Sequence, residues 1–310
     1  MALGTDQVTV AVANNFIPEL WSDEVIGAYK SNLVVANLVT KLNHKGKKGD
    51  TIHIPVPSRG SASAKAANTQ VTLSAATNTT VDVSLNKHYE YSKLIEDIAE
   101  VQSLASMRKF YTDDAGYALA KQVDSDLIDL GEGFQSGATT DGSYTTAYIG
   151  SGTTLWSGTN EADLDDDGLR ALILVLDNAD VPMDNRSLIV PPVCANDLLG
   201  INRFTEQAYI GSGDALKTGK IGQIYGVDVF ISTNCDTAAS GGGTGSSGGG
   251  TERVGILMHK DALVLAEQVG VRSQTQYKQE YLGDLFTSDT IYGVKELRND
   301  AGVCFVVPAS

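Results

Sequence analysis

The stretch from Asp177 to Phe230 contains two turn-and-strand units whose punctuation leaves few alternatives. In the first, DNADVPMDNRSLIVPP, a helical run from Leu169 to Ala179 stops at Val181-Pro182. The chain then turns over Met183-Asp184-Asn185-Arg186 and enters an apolar strand, Leu188-Ile189-Val190. The pair Pro191-Pro192 ends that strand, because proline cannot donate to a ladder. In the second, GKIGQIYGVDVFIS, Gly222 and Gly226 bracket a turn, and Val227, Val229 and Ile231 alternate with polar positions as a half-buried strand.

Upstream the period changes. Ile52, Ile54 and Val56 alternate with Thr51, His53 and Pro55, and Val81, Val83 and Leu85 alternate with Asp82, Ser84 and Asn86, which predicts two antiparallel arms. Between them lies SRGSASAKAANTQVTLSAATNTT, dominated by small and polar residues. A hairpin this long has too little apolar area at its tip to offset the entropy of ordering it against its own domain. Either it is floppy or another chain orders it.

A long helical pattern follows from Glu96 to Gly131, with Ile98, Val101, Ala105, Thr112, Ala115, Leu119, Val123, Leu127 and Leu130 at three- and four-residue steps. Glu96 and Asp97 suit its N-terminal end, Gly131 and Gly133 its stop, and Gly116 marks a candidate bend. At 1.5 Å per residue it would span roughly 50 Å, which suits a flat, wide subunit. Before the arms, Phe16, Ile17, Leu20, Trp21, Val25 and Ile26 lie at helical spacing. Residues 135–159 read as short strands and loops, and the Gly/Ser tract from Ser240 to Gly250 reads as a flexible surface loop.

With 310 residues, 42% of them apolar and 20% charged, the chain can bury a sizeable core. Disorder and membrane classes are disfavoured, and no apolar run approaches a span. MALGTDQVTV has no basic cap followed by an apolar core, so the expected compartment is the cytosol. The three cysteines, Cys194, Cys235 and Cys304, are too few and too dispersed for a disulfide framework or a metal clip, and read as buried, reduced thiols. A net charge of −15 argues against a coat that neutralises phosphates, though not against a container for DNA.

Chemistry is thinly represented. In DLDDDG, Asp163, Asp165, Asp167 and Gly168 match positions of a calcium loop, but Leu174 stands where a bidentate Glu belongs. These aspartates read instead as the cap and charge of the helix that follows. His44, His53, His88 and His259 have no ligand spacing. No nucleophile elbow, Walker loop or dinucleotide fingerprint occurs. GSGDALKTGK, residues 211–220, superficially resembles a phosphate loop but lacks the Gly-Lys-Ser/Thr ending, and reads as a mobile loop. The expectation is a protein that is not an enzyme, with no cofactor and no metal. KGKKGD contributes a basic turn through Lys45, Lys47 and Lys48, read either as a solvated loop or as a contact between subunits.

The order of these parts resembles the major capsid proteins of tailed double-stranded DNA bacteriophages, the Hong Kong-97-like fold, including those of podoviruses and cyanophages. The matching features are the helix, Val-Pro, the turn with Arg, the apolar strand with proline, then G-x-x-G-V-x-V, and finally the run from Met258 to Pro308 as closing strands. The resemblance implies an α+β fold with an N-terminal arm at 1–45 and an extended β-hairpin loop at 46–95. It further implies a peripheral domain with a spine helix at 96–160, an axial domain at 161–270 and closing strands at 271–310. The implied function is self-assembly into the icosahedral head shell around phage DNA. Rings of five and six would form through the axial domain around Pro182, Arg186, Gly222 and Gly226, and arm and loop would tie neighbours together. Implied partners are the chain itself, in hexamers and pentamers, a scaffolding protein, a portal protein, DNA held without sequence-specific contacts, and decoration or tail proteins; no membrane is involved. Assembly would occur in the host cytoplasm and the product would be the virion capsid. Some capsids of this fold join a loop lysine to a neighbour's asparagine; Lys65 lies at the loop tip here, but nothing local identifies a partner, and no cross-link is expected. Two other readings are an encapsulin-like compartment with an enzyme cargo and a soluble α+β enzyme whose site converges only in three dimensions.

Overall fold

The computed structural model describes residues 34–43, 49–57, 60, 62–71, 73, 78–97, 107–134, 147–156, 162–201, 222–235, 237–238 and 252–308. In chain order these form α1 (Val35–Leu38), β1 (Thr40–Asn43), β2 (Thr51–Pro57), β3 (Asn78–Ser84), β4 (Lys87–Glu96), α2 (Met107–Gly131), β5 (Tyr148–Ile149) and α3 (Asp166–Asn178). There follow β6 (Arg186–Val190), α4 (Pro192–Gly200), β7 (Gln223–Ile224), β8 (Val227–Ile231), β9 (Thr237–Ala238), β10 (Glu252–His259), β11 (Leu263–Lys278), β12 (Gly283–Glu296), a 3-10 turn (Asn299–Ala301) and β13 (Gly302–Val307).

The strands make three sheets. One has the order β5-β13-β10-β6-β8-β7, with β9 also pairing β10. It mixes directions, since β6 runs parallel to β8 and β5 parallel to β13 while β10 is antiparallel to both β6 and β13. Every residue of β6 and β13 is buried, and β13 with the Leu188-Ile189-Val190 part of β6 reads as an unbroken apolar run, as strands covered on both faces do. The main core joins this sheet to Leu169, Leu172 and Leu176 of α3, to Leu127, Ile128 and Phe134 at the end of α2, and to Val35 and Val39.

The second sheet, β1-β11-β12-β4, is dominated by the long β11–β12 hairpin. Helix α2 packs along it, contributing Asp114 as the acceptor of the Tyr91 hydroxyl at 3.0 Å. The third is the two-stranded hairpin β2–β3, in the register that pairs Ile52 with Val83 and Ile54 with Val81. Its base sits on the second sheet, where Val83 and Leu85 bury against Val264 and Ala266. Its far end has no such cover: Val71 is 63% exposed and Leu73 92%.

Several expectations need correcting. The helical conformation begins one residue after Glu96, at Asp97, since Glu96 ends β4, a strand paired along its length with β12. Asp97 follows with its N–H bonded to the Leu282 carbonyl and its carboxylate accepting from the Tyr277 hydroxyl, so this acidic pair is tied to the β11–β12 hairpin. Pro191-Pro192 does end β6, but it also opens α4, with Pro192 in the first turn where a missing N–H costs nothing. Val227 and Val229 are buried as expected, whereas Ile231 is exposed at the strand's end.

The candidate calcium segment is a helix cap. Asp165 is the N-cap of α3 and accepts from the Gly168 N–H at 2.6 Å, and Asp166 and Asp167 occupy the first turn. Among the described residues no group of His, Cys, Asp and Glu is arranged to hold a metal ion, and no helix is long and apolar enough to cross a membrane. The three cysteines are buried and none is in a disulfide, and burial pushes the Cys194 and Cys304 thiols well up from their ordinary range.

Candidate assembly surfaces

The turn between α3 and β6 is built around Arg186. Its side chain is 2% exposed, and its Nε donates to the Pro182 carbonyl at 2.9 Å. Its Nη2 donates to the Val181 carbonyl at 2.6 Å and to Asp177 Oδ1 at 2.7 Å. The guanidinium therefore braces the turn from inside, satisfying two carbonyls of the turn itself and the Asp177 carboxylate in the helix's last turn. What the turn presents outward is Pro182 and Met183, the latter 71% exposed.

Gly226 belongs to a second turn. Tyr225 and Gly226 both have positive φ, 51° and 81°, in a two-residue hairpin connection between Ile224 and Val227. That backbone matches the twist of the flanking strands and favours glycine at the second position. Gly222 lies just ahead of β7, exposed, with its carbonyl accepting from the Val229 N–H at 3.1 Å. Because β6 and β8 are parallel with Ser187 opposite Asp228, the Met183–Asn185 and Tyr225–Gly226 turns emerge side by side at one end of the sheet. The turns bearing Pro182 and Gly226 thus share one end of the sheet, with Arg186 as the internal brace of the first, while Gly222 lies further along β8, beside Val229.

Lys65 lies exposed near the far end of the extended hairpin. Lys45, Lys47 and Lys48 lie outside the described residues, as do the helical spacing at 16–26, His44, residues 135–146, the 211–220 segment and the Ser240–Gly250 tract. Of the described histidines, His53 pairs with Asp82 across β2–β3 at 2.5 Å and His88 with Asp289 at 3.2 Å. The buried His259 accepts the Asp261 N–H at 3.2 Å.

Residues that sequence reasoning missed hold the two large sheets together. Asp124, buried in α2, accepts from the Val35 N–H at 2.8 Å and from Asn234 Nδ2 at 3.1 Å. Two residues on, the buried Asp126 accepts from the Tyr292 hydroxyl at 2.5 Å, from Gln122 at 3.1 Å and from Lys87 Nζ at 3.0 Å. Burial first, then the Asp126 hydrogen bond, pushes the Tyr292 hydroxyl well above its ordinary range. Their only sequence signal was a pair of carboxylates inside an apolar helical stripe. On the second sheet Arg272 grips Asp289 with two hydrogen bonds, 2.7 and 2.8 Å. The Arg272 hydrogen bond, with His88 adding to it, holds the Asp289 carboxyl below the usual carboxylate range against the opposing effect of its burial.

These features, a buried mixed sheet with two adjacent turns at its tip, a long helix on a second sheet, and a hairpin reaching away from both, define a capsid subunit fold. A family model described as phage capsid protein matches residues 32–293, and the chain belongs to that family. It is a major capsid protein of the Hong Kong-97-like, α+β fold, a subunit of a bacteriophage head shell. Among solved structures it is similar to a chain described as Mycobacterium phage Che8, at 25% identity over 94% of this chain and 97% of that one, with a TM-score of 0.75. It also resembles the capsid of the cyanophage P-SCSP1u, at 18% identity over 99% and 97%, TM-score 0.72. A third neighbour is the capsid of cyanophage Pam1, at 14% identity over 99% of both chains, TM-score 0.70. No curated protein matches the sequence.

Proposed function

We propose that the chain works as a shell subunit through the shape of its interfaces, without catalysis. Residues 1–45 serve as an arm, 46–95 as the extended loop, 96–160 as the peripheral domain, 161–270 as the axial domain and 271–310 as the closing strands. The paired turns carrying Pro182, Gly222 and Gly226, braced by Arg186, meet their counterparts around rings of five and six. The basic turn at Lys45, Lys47 and Lys48 meets acidic surface on a neighbour, and the loop bearing Lys65 lies over an adjacent subunit. The observation that carries this reading is the extended hairpin: Val71 and Leu73 stand in solvent at the end of arms whose base alone is buried.

Assembly takes place in the host cytoplasm on a scaffolding protein, with a portal protein at one vertex and decoration or tail proteins added afterwards. The net charge of −15 fits a container whose DNA is driven in by a separate motor, since a wall of the same sign does not trap the polymer. Light scattering with electron microscopy on the purified chain at neutral pH, with and without salt, tests the reading. Closed shells, rings or sheets are expected. A monomer or dimer that persists when scaffold-containing lysate is added would overturn it.

A further inference from the structure

The extended hairpin leaves the second sheet across a seat shaped by a residue without a side chain. Successive residues of a strand face opposite ways. On β12 Tyr292 faces α2, where its hydroxyl reaches Asp126, so the buried Gly293 faces the other side. There the root of the hairpin lies directly on the strand. A Cβ at Gly293 would stand 2.3 Å from the Ser84 carbonyl oxygen and 3.2 Å from Leu85 Cα, where ordinary contact begins at 3.4 Å. Opposite Gly293 on β11 is Ala266, buried against Val83 and Leu85, so two small residues side by side form the slot that the root fills. The φ of Gly293 lies outside the left-handed region, so β12 by itself would accept alanine here. It is the close approach of the root that calls for glycine.

The root has little slack. From Ser84 the chain steps off that face onto the edge of β12, where Lys87 pairs with Tyr292. On the helix side Lys87 Nζ reaches Asp126 at 3.0 Å. The start of the first arm is held as well, since the Leu85 N–H donates to the Asp50 carbonyl at 2.7 Å and Gln268 Nε2 to the Gly49 carbonyl at 2.9 Å. A root gripped on both faces of the sheet sets a direction, and the paired arms carry it outward. Each arm has seven residues, and reaches roughly 23 Å at about 3.3 Å per residue. A methyl group at Gly293 would displace the root by about 1 Å, and the arms magnify that shift at their far end. Resting on the capsid reading, we propose that Gly293 is a positioning residue of assembly. By letting the Ser84–Leu85 backbone lie flush on β12, it fixes the angle at which the extended hairpin leaves the subunit, and with it the angle between neighbouring copies.

Spin labels on Thr80→Cys in the hairpin and Lys121→Cys on α2, both exposed positions, report that angle as a distance in the free full-length subunit, because Cys194, Cys235 and Cys304 are buried. With Gly293 in place a single narrow distance is expected. Gly293→Ala should shift it and Gly293→Val should shift it further, while Gly116→Ala, where a methyl group meets nothing, should leave it unmoved. Gln268→Ala with Lys87→Met loosens the grip without adding bulk and should broaden the distance, which provides the test where the Gly293 variants do not fold. In electron micrographs Gly293→Ala is expected to give open sheets or shells of altered diameter, with loss of closed shells of the original size. A broad distance with Gly293 in place, or one unmoved by either set of substitutions, would overturn this inference and leave the capsid reading intact. A shifted distance with shells unchanged would overturn it too. Failure of the unsubstituted chain to form any assembly would overturn both.

Discussion

The seven-stranded sheet and the β11–β12 hairpin are built from strands of similar regularity, yet they are finished in opposite ways. In the first, β6 and β13 are buried at every position and the core closes on itself through α3 and the end of α2. In the second, the distal half of β11 is exposed on both faces, and the loop of the neighbouring hairpin β2–β3 carries the exposed apolar residues Val71 and Leu73. The first region is complete as a monomer. The second leaves an edge and apolar side chains exposed, and the proposed assembly would use them as limbs on a stable body.

Substitutions should therefore fall into two groups. Leu188→Ala removes a fully buried side chain from β6 and should cost about 2–5 kcal/mol in chemical denaturation of the subunit. Arg186→Ala strips the turn of its brace and leaves the Val181 and Pro182 carbonyls without that donor. It should cost about 2–3 kcal/mol, with Arg186→Lys recovering part of it. A loss below 1 kcal/mol from either would contradict a self-sufficient body.

A smaller effect separates the second sheet by pH. The Asp289 carboxyl is held low by Arg272, so its contribution to stability is present above the ordinary aspartate value of about 3.9 and is lost as pH falls through the lower folded value. Asp289→Asn should lower the melting temperature at pH 7 and converge on the unsubstituted chain in strong acid. A difference independent of pH would break the assignment. The smallest effect on the subunit is expected from Leu73→Ser, within about 0.5 kcal/mol because the side chain touches little. The same change should impair assembly measured by light scattering, and no other substitution here separates the two regions so sharply.

Much of this was legible in the sequence where one local signal dominated. The DLDDDG segment capped a helix, Ile52/Val83 and Ile54/Val81 paired as alternation predicts, and proline punctuated β6. The one-residue difference at Glu96 came from a strand, β4, whose residues Leu94-Ile95 run into a helical stripe with no turn signal between them. Helix α4 was hidden because Pro191-Pro192 is equally a strand stop and a helix start. Arg186 was singled out for its place in the order of motifs, but its inward direction depends on Asp177 and two carbonyls that only the folded turn assembles. Asp124 and Asp126 could not be assigned, since the Val35 and Tyr292 donors that hold them lie 89 and 166 residues away.

Hydrogen exchange measured on the free subunit and on assembled shells addresses the division between body and limbs most directly. Residues 186–190, 254–258 and 302–307 should be protected in both states, while 69–73 and 273–277 should gain protection only in the shell. Equal protection of those two segments in the free and assembled chain would contradict the account.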